Sequence, residues 1–520
     1  MIISKKHQKV VINSRHPERI TTVIPTAKTI EYKGRPLVAV PHRLDETKVL
    51  RNIGYSVPSP VAYYYMWSGR YKPFEHQRTT VEFLTLNPRA FVLNQIGTGK
   101  SLSVLWAYDY LRSVGQANKM IIVSPLSTLD RVWADELFRH FPHLTYVVLH
   151  GSAAKRRKLL AQDVDVYIIN HDGVKILLPE LIERTDINAV TIDELAEARN
   201  QRTERWKALD FLVSSRKWVW GLTGSPTPKA PTDAWAQVRL IAPDRVPRYF
   251  TKFRDMVMRQ INTFKWVPRT EAAHLVKEAM QPAILFKRDE CIDLPPCTFS
   301  TRTVAMSPEQ NRAYQDMLNR LRMEYEGGEV TAVNEAVKVM KLIQIACGVA
   351  YTTGGTNVIL PSPERVDAVK DIVLEADGKV IVYVPLTGGL HRIADELRRE
   401  GYEVGVVHGE TPKSERDAVF SAFQSGPDMK VLVAHPKCMA HGLTLTAANV
   451  IVWYIPTNDF SVYEQACGRI VRPGQKRHQH IIHLEGSNVE RRMYNRLENK
   501  GSAQGVLLDL IKKDMEGVDN

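Results

Sequence analysis

The stretch at 90–101, AFVLNQIGTGKS, is the part of the sequence that decides the fold. Its first four residues form a short apolar run, and a helical pattern begins at Ser101 and continues to Ser113. The turn between them contains Gly97 and Gly99. Glycines allow main-chain N–H groups to close on phosphate oxygens, and the N-terminus of the helix adds the positive end of its dipole. A buried strand, this loop and a helix predict a nucleotide-binding α/β unit.

The loop carries the side chains that phosphate and Mg²⁺ require. Lys100 can reach the β- and γ-phosphates of ATP, and the Ser101 hydroxyl can ligate Mg²⁺. Thr98 completes the cradle, whereas Asn94 stands where the motif G-x-x-x-x-G-K-S/T begins with glycine. The alternative is a glycine-rich turn with a surface lysine, but the strand–loop–helix context favours the phosphate loop. We therefore expect ATP and Mg²⁺ as bound groups.

A second acidic signal follows a later apolar strand. Asp193 and Glu194 come directly after the run at 190–192, about ninety residues beyond the phosphate loop. This arrangement can place one carboxylate at Mg²⁺ and the next near the attacking water. Alone, such a pair more often begins a helix. Together with the phosphate loop, it indicates Asp193 as a metal ligand and Glu194 as the residue that positions the water.

Short apolar runs alternate with helical patterns through most of the chain, which is typical of parallel sheets covered by helices on both faces. Further runs occur at 119–123, 164–169 and 217–222, and a second series starts after Pro361. We predict an α/β protein with two tandem parallel-sheet lobes. The predicted parts are a small basic N-terminal domain at 1–70, a first lobe at 71–243, a mostly helical insertion at 244–360, a second lobe at 361–500 and a helical C-terminal tail at 501–520.

Composition and charge narrow the class of protein. The 520 residues are 44% hydrophobic and 24% charged, which excludes a mainly disordered chain and a fibre. The net charge is +13, and residues 1–70 hold 12 basic and 4 acidic side chains, which suggests a polyanionic partner; the alternative is that the charge serves solubility alone. The apolar runs are too short to cross a bilayer, and the N-terminus has no secretory pattern. These features predict a cytoplasmic protein without a membrane partner.

An ordered series of further motifs runs along the chain. The series comprises FEHQ at 74–77, IIVSPL at 121–126 followed by Trp133 and Glu136, INH at 169–171, DELA at 193–196, LTGSP at 222–226, FKR at 286–288, HGET at 408–411 with Arg416, AHGLTL at 440–445 and QACGRIVR at 465–472. In this order the motifs resemble those of a superfamily-two nucleic-acid motor of the Swi/Snf type, in the compact form found in bacteriophages. The resemblance covers about residues 71–500.

The resemblance implies roles for residues outside the phosphate loop. Gln77 is expected to hydrogen-bond the adenine base, and Gln465 is expected to contribute to nucleotide binding. The motifs at 121–136, 169–171 and 408–416 correspond to segments that contact the DNA backbone. Thr223 and Ser225 correspond to hydroxyl groups that couple the two lobes.

Two arginines form the main signal of the second lobe. Arg469 and Arg472 are three residues apart, so a helix would place both on one face. Their guanidinium groups supply charge and planar donor forks for the γ-phosphate when the lobes close. The alternative is a solvated basic helix face. Gln465 before the arginines and Gly474 after them favour the phosphate role.

These patterns together predict an ATP-hydrolysing motor, a helicase or double-stranded DNA translocase, built from two RecA-like lobes. The resemblance favours double-stranded or branched DNA over RNA as the partner. We also expect a monomer in the cytoplasm, or in the host cytoplasm for a viral protein. One alternative is a motor that remodels branched DNA or protein–DNA complexes. The other is a weakly hydrolysing, ATP-gated DNA clamp, because the family patterns are altered at Asn94, at Ala196 and around Gly442.

A strand-separating helicase needs an element that splits the fork, and the sequence offers one weak candidate. The turn TTGGTN at 352–357 could join two short strands at 349–351 and 358–360. It lies near a predicted lobe boundary, so we interpret it as a connector. Translocation along intact duplex is therefore the preferred prediction.

Overall fold

The structure, a computed structural model, describes residues 1–498 except 33–34, 225, 228–229, 263–264, 292–294, 327–331, 352–356, 440–443 and 473. The predicted tail at 501–520, Ser225, the turn at 352–356 and the first four residues of the motif at 440–445 therefore lie outside the described residues. The chain divides into two units, 1–292 and 293–520.

A small antiparallel sheet of order β1-β2-β4-β3 opens the first unit. Alternate residues of its central strands point to a core of their own, shared with Ile20 and Leu50 of two helices. Beyond Val57 the chain no longer packs on this small core. Val61 and Trp67 pack on the core of the lobe that follows. The elements are β1 (Ile2–Ser4), β2 (Lys9–Ile12), α1 (Pro17–Val23), β3 (Lys28–Tyr32), β4 (Arg35–Pro41), α2 (Leu44–Asn52) and α3 (Val61–Tyr64).

The main sheet of the first unit is parallel, in the order β5-β10-β9-β6-β8-β7. Its strands are almost wholly buried, as β10 with its sequence WVWGL illustrates, because helices cover both faces. The elements are α4 (Glu75–Leu86), β5 (Arg89–Val92), α5 (Lys100–Ser113), β6 (Lys119–Ser124), α6 (Asp135–His140), β7 (Tyr146–Val148), α7 (Ala153–Leu160), β8 (Val166–Asn170), α8 (His171–Glu183), β9 (Ile187–Ile192), α9 (Glu204–Ser214), β10 (Trp218–Leu222) and α10 (Asp233–Ile241).

The predicted insertion at 244–360 is shared between the two units. Its first part contains an antiparallel hairpin, which the helical interpretation missed; Trp266 of the hairpin packs on the core of the lobe and Arg254 lies 4.0 Å over its ring. A two-residue strand then extends the main sheet beside β5. The elements are α11 (Phe250–Val257), β11 (Met258–Asn262), β12 (Lys265–Pro268), α12 (Ala272–Ala279), β13 (Ala283–Ile284) and α13 (Arg288–Cys291).

The second unit is built on another parallel sheet, of order β14-β21-β20-β17-β19-β18. Its edge strand β14 falls inside the predicted insertion. The prediction of two tandem parallel-sheet lobes is confirmed. The elements are β14 (Cys297–Thr303), α14 (Pro308–Glu326), α15 (Ala332–Ala346), β15 (Val349–Tyr351), β16 (Asn357–Ile359), α16 (Pro363–Glu375), β17 (Lys379–Tyr383), α17 (Thr387–Arg399), β18 (Glu403–Val407), α18 (Lys413–Ser425), β19 (Met429–Ala434), β20 (Ala448–Trp453), α19 (Phe460–Cys467), β21 (Gln479–Glu485) and α20 (Asn488–Glu498).

The two short strands predicted around 352–357 are present. β15 and β16 pair antiparallel over three residues each. Among the described residues, no helix is both long enough and apolar enough to span a membrane.

Candidate active site

The phosphate loop leaves β5 at Val92 and enters α5 at Lys100. Gly97 and Gly99 have φ values of +89° and +73°, in the left-handed region that favours glycine. A side chain at position 99 would also place its Cβ 2.2 Å from Nε2 of Gln77. Glycine is therefore favoured at position 99 by conformation, and a side chain there would displace the Gln77 amide.

Lys100 projects back over the loop that precedes it. Its Nζ donates to the carbonyl oxygens of Asn94 at 2.7 Å and Gln95 at 3.3 Å. Ser101 follows in the first turn of α5 and is partly exposed. The loop thus holds a cation and a hydroxyl next to a helix N-terminus, where a phosphate binds most favourably.

The first turn of α4 braces the loop. The Gln77 Oε1 accepts from the main-chain N–H of Phe74 at 2.9 Å, and its Nε2 donates to the carbonyls of Thr98 and Gly99 at 3.5 Å each. His76 Nε2 donates to the Thr98 carbonyl at 2.9 Å, because a carbonyl oxygen can only accept. The structure therefore brings Gln77 to the loop, and it adds His76, whose role the sequence motif did not show.

Asn94, which replaces the first glycine of the motif, is buried, and both ends of its side-chain amide form hydrogen bonds. Its Nδ2 donates to Thr80 Oγ1 at 3.1 Å, and its Oδ1 accepts from the main chain of Phe286 at 3.0 Å. Next to it, Gln95 Oε1 accepts from the main chain of Arg288 at 3.0 Å. The FKR motif at 286–288 is thus the outer support of the phosphate loop, which sequence order alone could not reveal.

The acidic pair lies at the end of β9. The main-chain N–H of Asp193 donates to Val123 on β6 at 2.8 Å, its Oδ1 accepts from Glu194 N at 3.0 Å, and its Oδ2 accepts from the indole of Trp133 at 3.1 Å. Burial raises the pKa of Asp193, while the Trp133 indole and the positive charge of Lys100 oppose this rise. Lys100 and Asp193 therefore act on each other electrostatically. Glu194 has a φ of +50°, an unusual backbone for a residue with a side chain.

The donor set fits Mg²⁺ bound together with a phosphate. Asp193 and Ser101 offer hard oxygen ligands, which Mg²⁺ prefers. Within the described residues, no group of three or more His, Cys, Asp or Glu side chains could hold a metal by itself. A site with one or two protein ligands and several phosphate or water oxygens is the usual arrangement for Mg²⁺ in nucleotide sites.

The predicted helix face in the second lobe is wrong. Helix α19 ends at Cys467, and Gly468 forms its C-terminal cap, so Arg469 and Arg472 lie in the turns beyond the helix. The reason is local: the main-chain N–H groups of Arg469 and Arg472 close tight turns, and Pro473 cannot continue a helix.

The contacts of the two arginines differ. Arg469 is 2% exposed, whereas Arg472 is partly exposed. Arg472 Nε donates to the Gly468 carbonyl at 2.8 Å, and its Nη1 donates to Thr444 Oγ1 at 3.2 Å. Gln465 is buried on α19. The described contacts of Arg472 are thus to its own unit, and its action on a phosphate stays a prediction.

One residue assigned to a DNA-contacting segment points inward instead. Trp133 is fully buried, so it cannot touch DNA, and it contacts Asp193. Glu136 lies 3.4 Å from His140, and burial raises the pKa of Glu136 to about 7. His171 of the motif at 169–171 donates from Nε2 to the Asp193 carbonyl at 3.0 Å. Segments read as DNA contacts therefore also support the acidic pair.

The coupling motif and the HGET motif follow strands. Thr223 comes directly after β10, is buried, and its main-chain N–H donates to Val92 at 3.1 Å, next to the phosphate loop. His408 follows β18, and its main-chain N–H donates to Thr411 Oγ1 at 3.0 Å. Their roles in coupling and in DNA contact stay predictions.

A phosphate loop and an acidic pair at the carboxyl ends of parallel strands, followed by a second parallel-sheet lobe, define a two-lobed nucleoside triphosphatase. The chain belongs to the SNF2-related domain family, which it matches over residues 76–347, and it matches the helicase conserved C-terminal domain over residues 364–474. It is an ATP-dependent DNA motor with two parallel-sheet lobes, and its activity is that of a DNA-dependent ATPase.

Similar proteins include compact phage and viral proteins and much longer eukaryotic ones. Putative protein p41 of Acyrthosiphon pisum secondary endosymbiont phage 1 is 24% identical over 85% of this chain and 99% of the relative. A probable global transactivator of Orgyia pseudotsugata multicapsid polyhedrosis virus is 23% identical over 85% of this chain and 93% of the relative. An ISWI chromatin-remodeling complex ATPase of Arabidopsis thaliana is 24% identical over 80% of this chain, which spans only 40% of that relative.

The Sulfolobus solfataricus SWI2/SNF2 ATPase core in complex with dsDNA is 20% identical, and the match covers 83% of this chain and 92% of that chain with a TM-score of 0.42.

Proposed function

We propose that this motor moves along double-stranded DNA and draws its energy from ATP bound with Mg²⁺ at the phosphate loop of the first lobe. The observation that carries the proposal is the placement of Lys100 and Asp193, which follow β5 and β9, the two parallel neighbours of β10, so that both residues lie at the same edge of the sheet. A cation and a carboxylate at the same sheet edge match the needs of a phosphoanhydride and its metal ion.

Each residue of the first lobe has a distinct task in this proposal. Lys100 binds the β- and γ-phosphates, with the main chain of Gly97, Thr98 and Gly99 as the cradle. Gln77, already beside that cradle, hydrogen-bonds the adenine base. These contacts bind and orient the nucleotide before any chemistry occurs.

The acidic pair and its neighbour serve the hydrolytic step. Ser101 and Asp193 would hold Mg²⁺, which when bound neutralises phosphate charge in the transition state. Glu194 orients the attacking water. From the second lobe, Arg469 and Arg472 supply positive charge to the γ-phosphate, and Gln465 supports the nucleotide.

Double-stranded DNA is the proposed track, in preference to RNA, and the protein acts as a monomer in the cytoplasm, in that of the host for a viral protein. Family membership and the basic N-terminal segment support DNA as the partner. The clamp alternative loses one of its arguments, because Asn94 has a defined supporting role in the loop.

The test is phosphate release measured on equal masses of linear duplex, single-stranded, forked and four-way-junction DNA and of duplex RNA. We expect the highest turnover on duplex DNA and little on RNA. Lys100→Ala is the control, and it should abolish hydrolysis while DNA binding persists. Equal rates with RNA, or turnover without any nucleic-acid stimulation, would contradict the proposal; a strong preference for junctions would instead support the branched-DNA motor.

A further inference from the structure

Trp133 lies on the inner side of a segment that sequence motifs assign to DNA contact. The chain passes from a 3₁₀ turn at Leu126–Thr128 through a π-helical turn at Leu129–Ala134 into α6. Turns of this wider kind are rare and occur most often at functional sites. The turn directs the fully buried Trp133 to Asp193, whose Oδ2 accepts from its Nε1 at 3.1 Å.

This hydrogen bond differs from those of the other tryptophans in the first unit. Five other buried indoles donate to main-chain carbonyl oxygens, which any residue could supply: Trp106 to Ser68, Trp206 to Ala236, Trp218 to Gln116, Trp220 to Asn87 and Trp235 to Pro247. In the described part of the first unit, only the indole of Trp133 donates to a carboxylate. Its partner is the carboxylate at the candidate metal site, so the bond has more than a packing role.

We propose that Trp133 is a positioning residue, whose indole N–H fixes the Asp193 carboxylate in the orientation that receives Mg²⁺. The inference rests on the proposed function, in which Asp193 is a metal ligand. The last torsion of an aspartate side chain has a broad preference, so hydrogen bonds must define the plane of the carboxylate. Here Oδ1 accepts from Glu194 N and Oδ2 from Trp133.

The main chain of Asp193 is fixed independently of Trp133. Its N–H donates to Val123 on β6, and its carbonyl accepts from His171 at the start of α8. Loss of the indole N–H should therefore leave the backbone in place and release only the carboxylate. Since each carboxylate oxygen can accept more than one hydrogen bond, capacity for a metal or its water ligands remains on both oxygens.

Trp133→Phe tests the inference, because it removes the N–H and keeps an aromatic ring in the core. The measurement is binding of a fluorescent ADP analogue at increasing free Mg²⁺. We expect the Mg²⁺ concentration for half-maximal binding to rise about tenfold, the effect of one lost hydrogen bond to a charged group. Binding in EDTA should not change. Trp218→Phe is the control, since it removes an equally buried indole bond of 3.0 Å and should leave the Mg²⁺ midpoint unmoved.

Asp193→Asn separates failure of the inference from failure of the proposed function. If Asp193→Asn leaves the Mg²⁺ midpoint unchanged, the metal role of Asp193 is wrong. If Asp193→Asn raises the midpoint but Trp133→Phe does not, or if Trp218→Phe raises it equally, the positioning role of Trp133 is overturned. Should Trp133→Phe fail to fold, ¹⁵N-indole spectra of the wild-type protein decide: the Trp133 signal should shift when Mg²⁺ joins bound ADP, and a fixed signal contradicts the inference.

Discussion

Asn94 shows how one departure from a motif can be read from its contacts. Its side chain joins the phosphate loop to Thr80 by a buried hydrogen bond and to Phe286 by a partly buried one. Asn94→Gly would restore the family glycine but leave the partly buried N–H of Phe286 without this acceptor. We expect this variant to lose about 1–3 kcal/mol of unfolding free energy and to gain no turnover. Urea unfolding and phosphate release would measure both, and a higher kcat would show that Asn94 hinders the phosphates.

A single substitution can test the role of Arg472. Arg472→Ala should lower DNA-stimulated kcat by roughly 10³-fold, as expected when an arginine that neutralises the γ-phosphate is lost. Nucleotide binding by the first lobe should change much less. Arg477→Ala is a suitable control, because Arg477 lies exposed in the same region and donates to the Asp377 carbonyl. An unchanged kcat in Arg472→Ala would return this residue to a solvated surface role.

The sequence predicted those parts of the site whose residues are adjacent along the chain. The loop residues from Gly97 to Ser101 are contiguous, so their spacing already defines the phosphate cradle. His76 and Trp133 could not be assigned in this way, because each meets its partner only in the folded lobe: His76 on α4 contacts the loop after β5, and Trp133 contacts the residue that follows β9. Trp133 was expected on the DNA side, and its burial corrects that expectation.

At the scale of elements, the sequence predicted the strands that are buried and missed those that are exposed or very short. The inner strands were found from their apolar runs because helices cover both faces. β14, with the sequence CTFSTRT, is mostly exposed, and β13 has only two residues, so neither carries an apolar signal. Both strands gain their place by pairing, with β21 and with β5 respectively, and such long-range pairing is invisible to a local pattern.

A buried ion pair joins α16 and α20 in the second unit. Arg365 and Glu490 are 2% and 0% exposed at the side chain, and their closest atoms are 2.9 Å apart. Breaking a buried pair leaves an uncompensated charge, so Arg365→Met should destabilise this unit by about 3–5 kcal/mol. Replacement of both residues, Arg365→Met with Glu490→Leu, should recover most of this loss. Urea or thermal unfolding followed by circular dichroism provides the measurement.

The control for this pair is exposed. Arg302 lies 3.4 Å from Asp371, and both side chains are at least one-third accessible to solvent. Arg302→Met should therefore cost only about 0–1 kcal/mol. Equal losses in the Arg302 and Arg365 variants would mean that burial does not decide the stability of these pairs.

At the scale of the whole molecule, the N-terminal sheet carries an uneven charge. Residues 1–57 contain 11 basic and 4 acidic side chains, and among their described residues one ion pair forms, between His16 and Glu18. Lys5, Lys6 and Lys9 are exposed along one hairpin. We expect this hairpin to contact DNA phosphates, since a cluster of exposed cations favours a polyanion.

Replacement of Lys5, Lys6 and Lys9 by Gln in the full chain tests this expectation. Each lost phosphate contact should reduce the slope of log Kd against log salt by about 0.9 for duplex DNA. Lys158, Lys252 and Lys277, exposed elsewhere in the first unit, provide a triple Gln control. The control variant should keep the wild-type slope. If the N-terminal triple variant keeps it as well, the N-terminal hairpin does not serve DNA binding.

The hairpins of the molecule bear on how it moves along DNA. A strand-separating helicase needs a wedge, commonly a hairpin that enters the fork. The described residues contain two antiparallel hairpins outside the N-terminal sheet, β11–β12 and β15–β16. The second has strands of only three residues, and the first is anchored to its lobe through Trp266. Neither hairpin therefore resembles a dedicated strand-separating element.

We therefore expect this protein to displace a triplex-forming strand from duplex DNA more efficiently than it unwinds a forked duplex. A motor that tracks along intact duplex removes a third strand in its way but leaves base pairs closed. Both assays should be run at matched ATP turnover, with Lys100→Ala as the inactive control. Efficient fork unwinding without triplex displacement would contradict movement along intact duplex. In that case Ile261→Ser, at an exposed position of β11, would test the longer hairpin as the separating element, because loss of its apolar side chain should reduce unwinding and leave ATP hydrolysis intact.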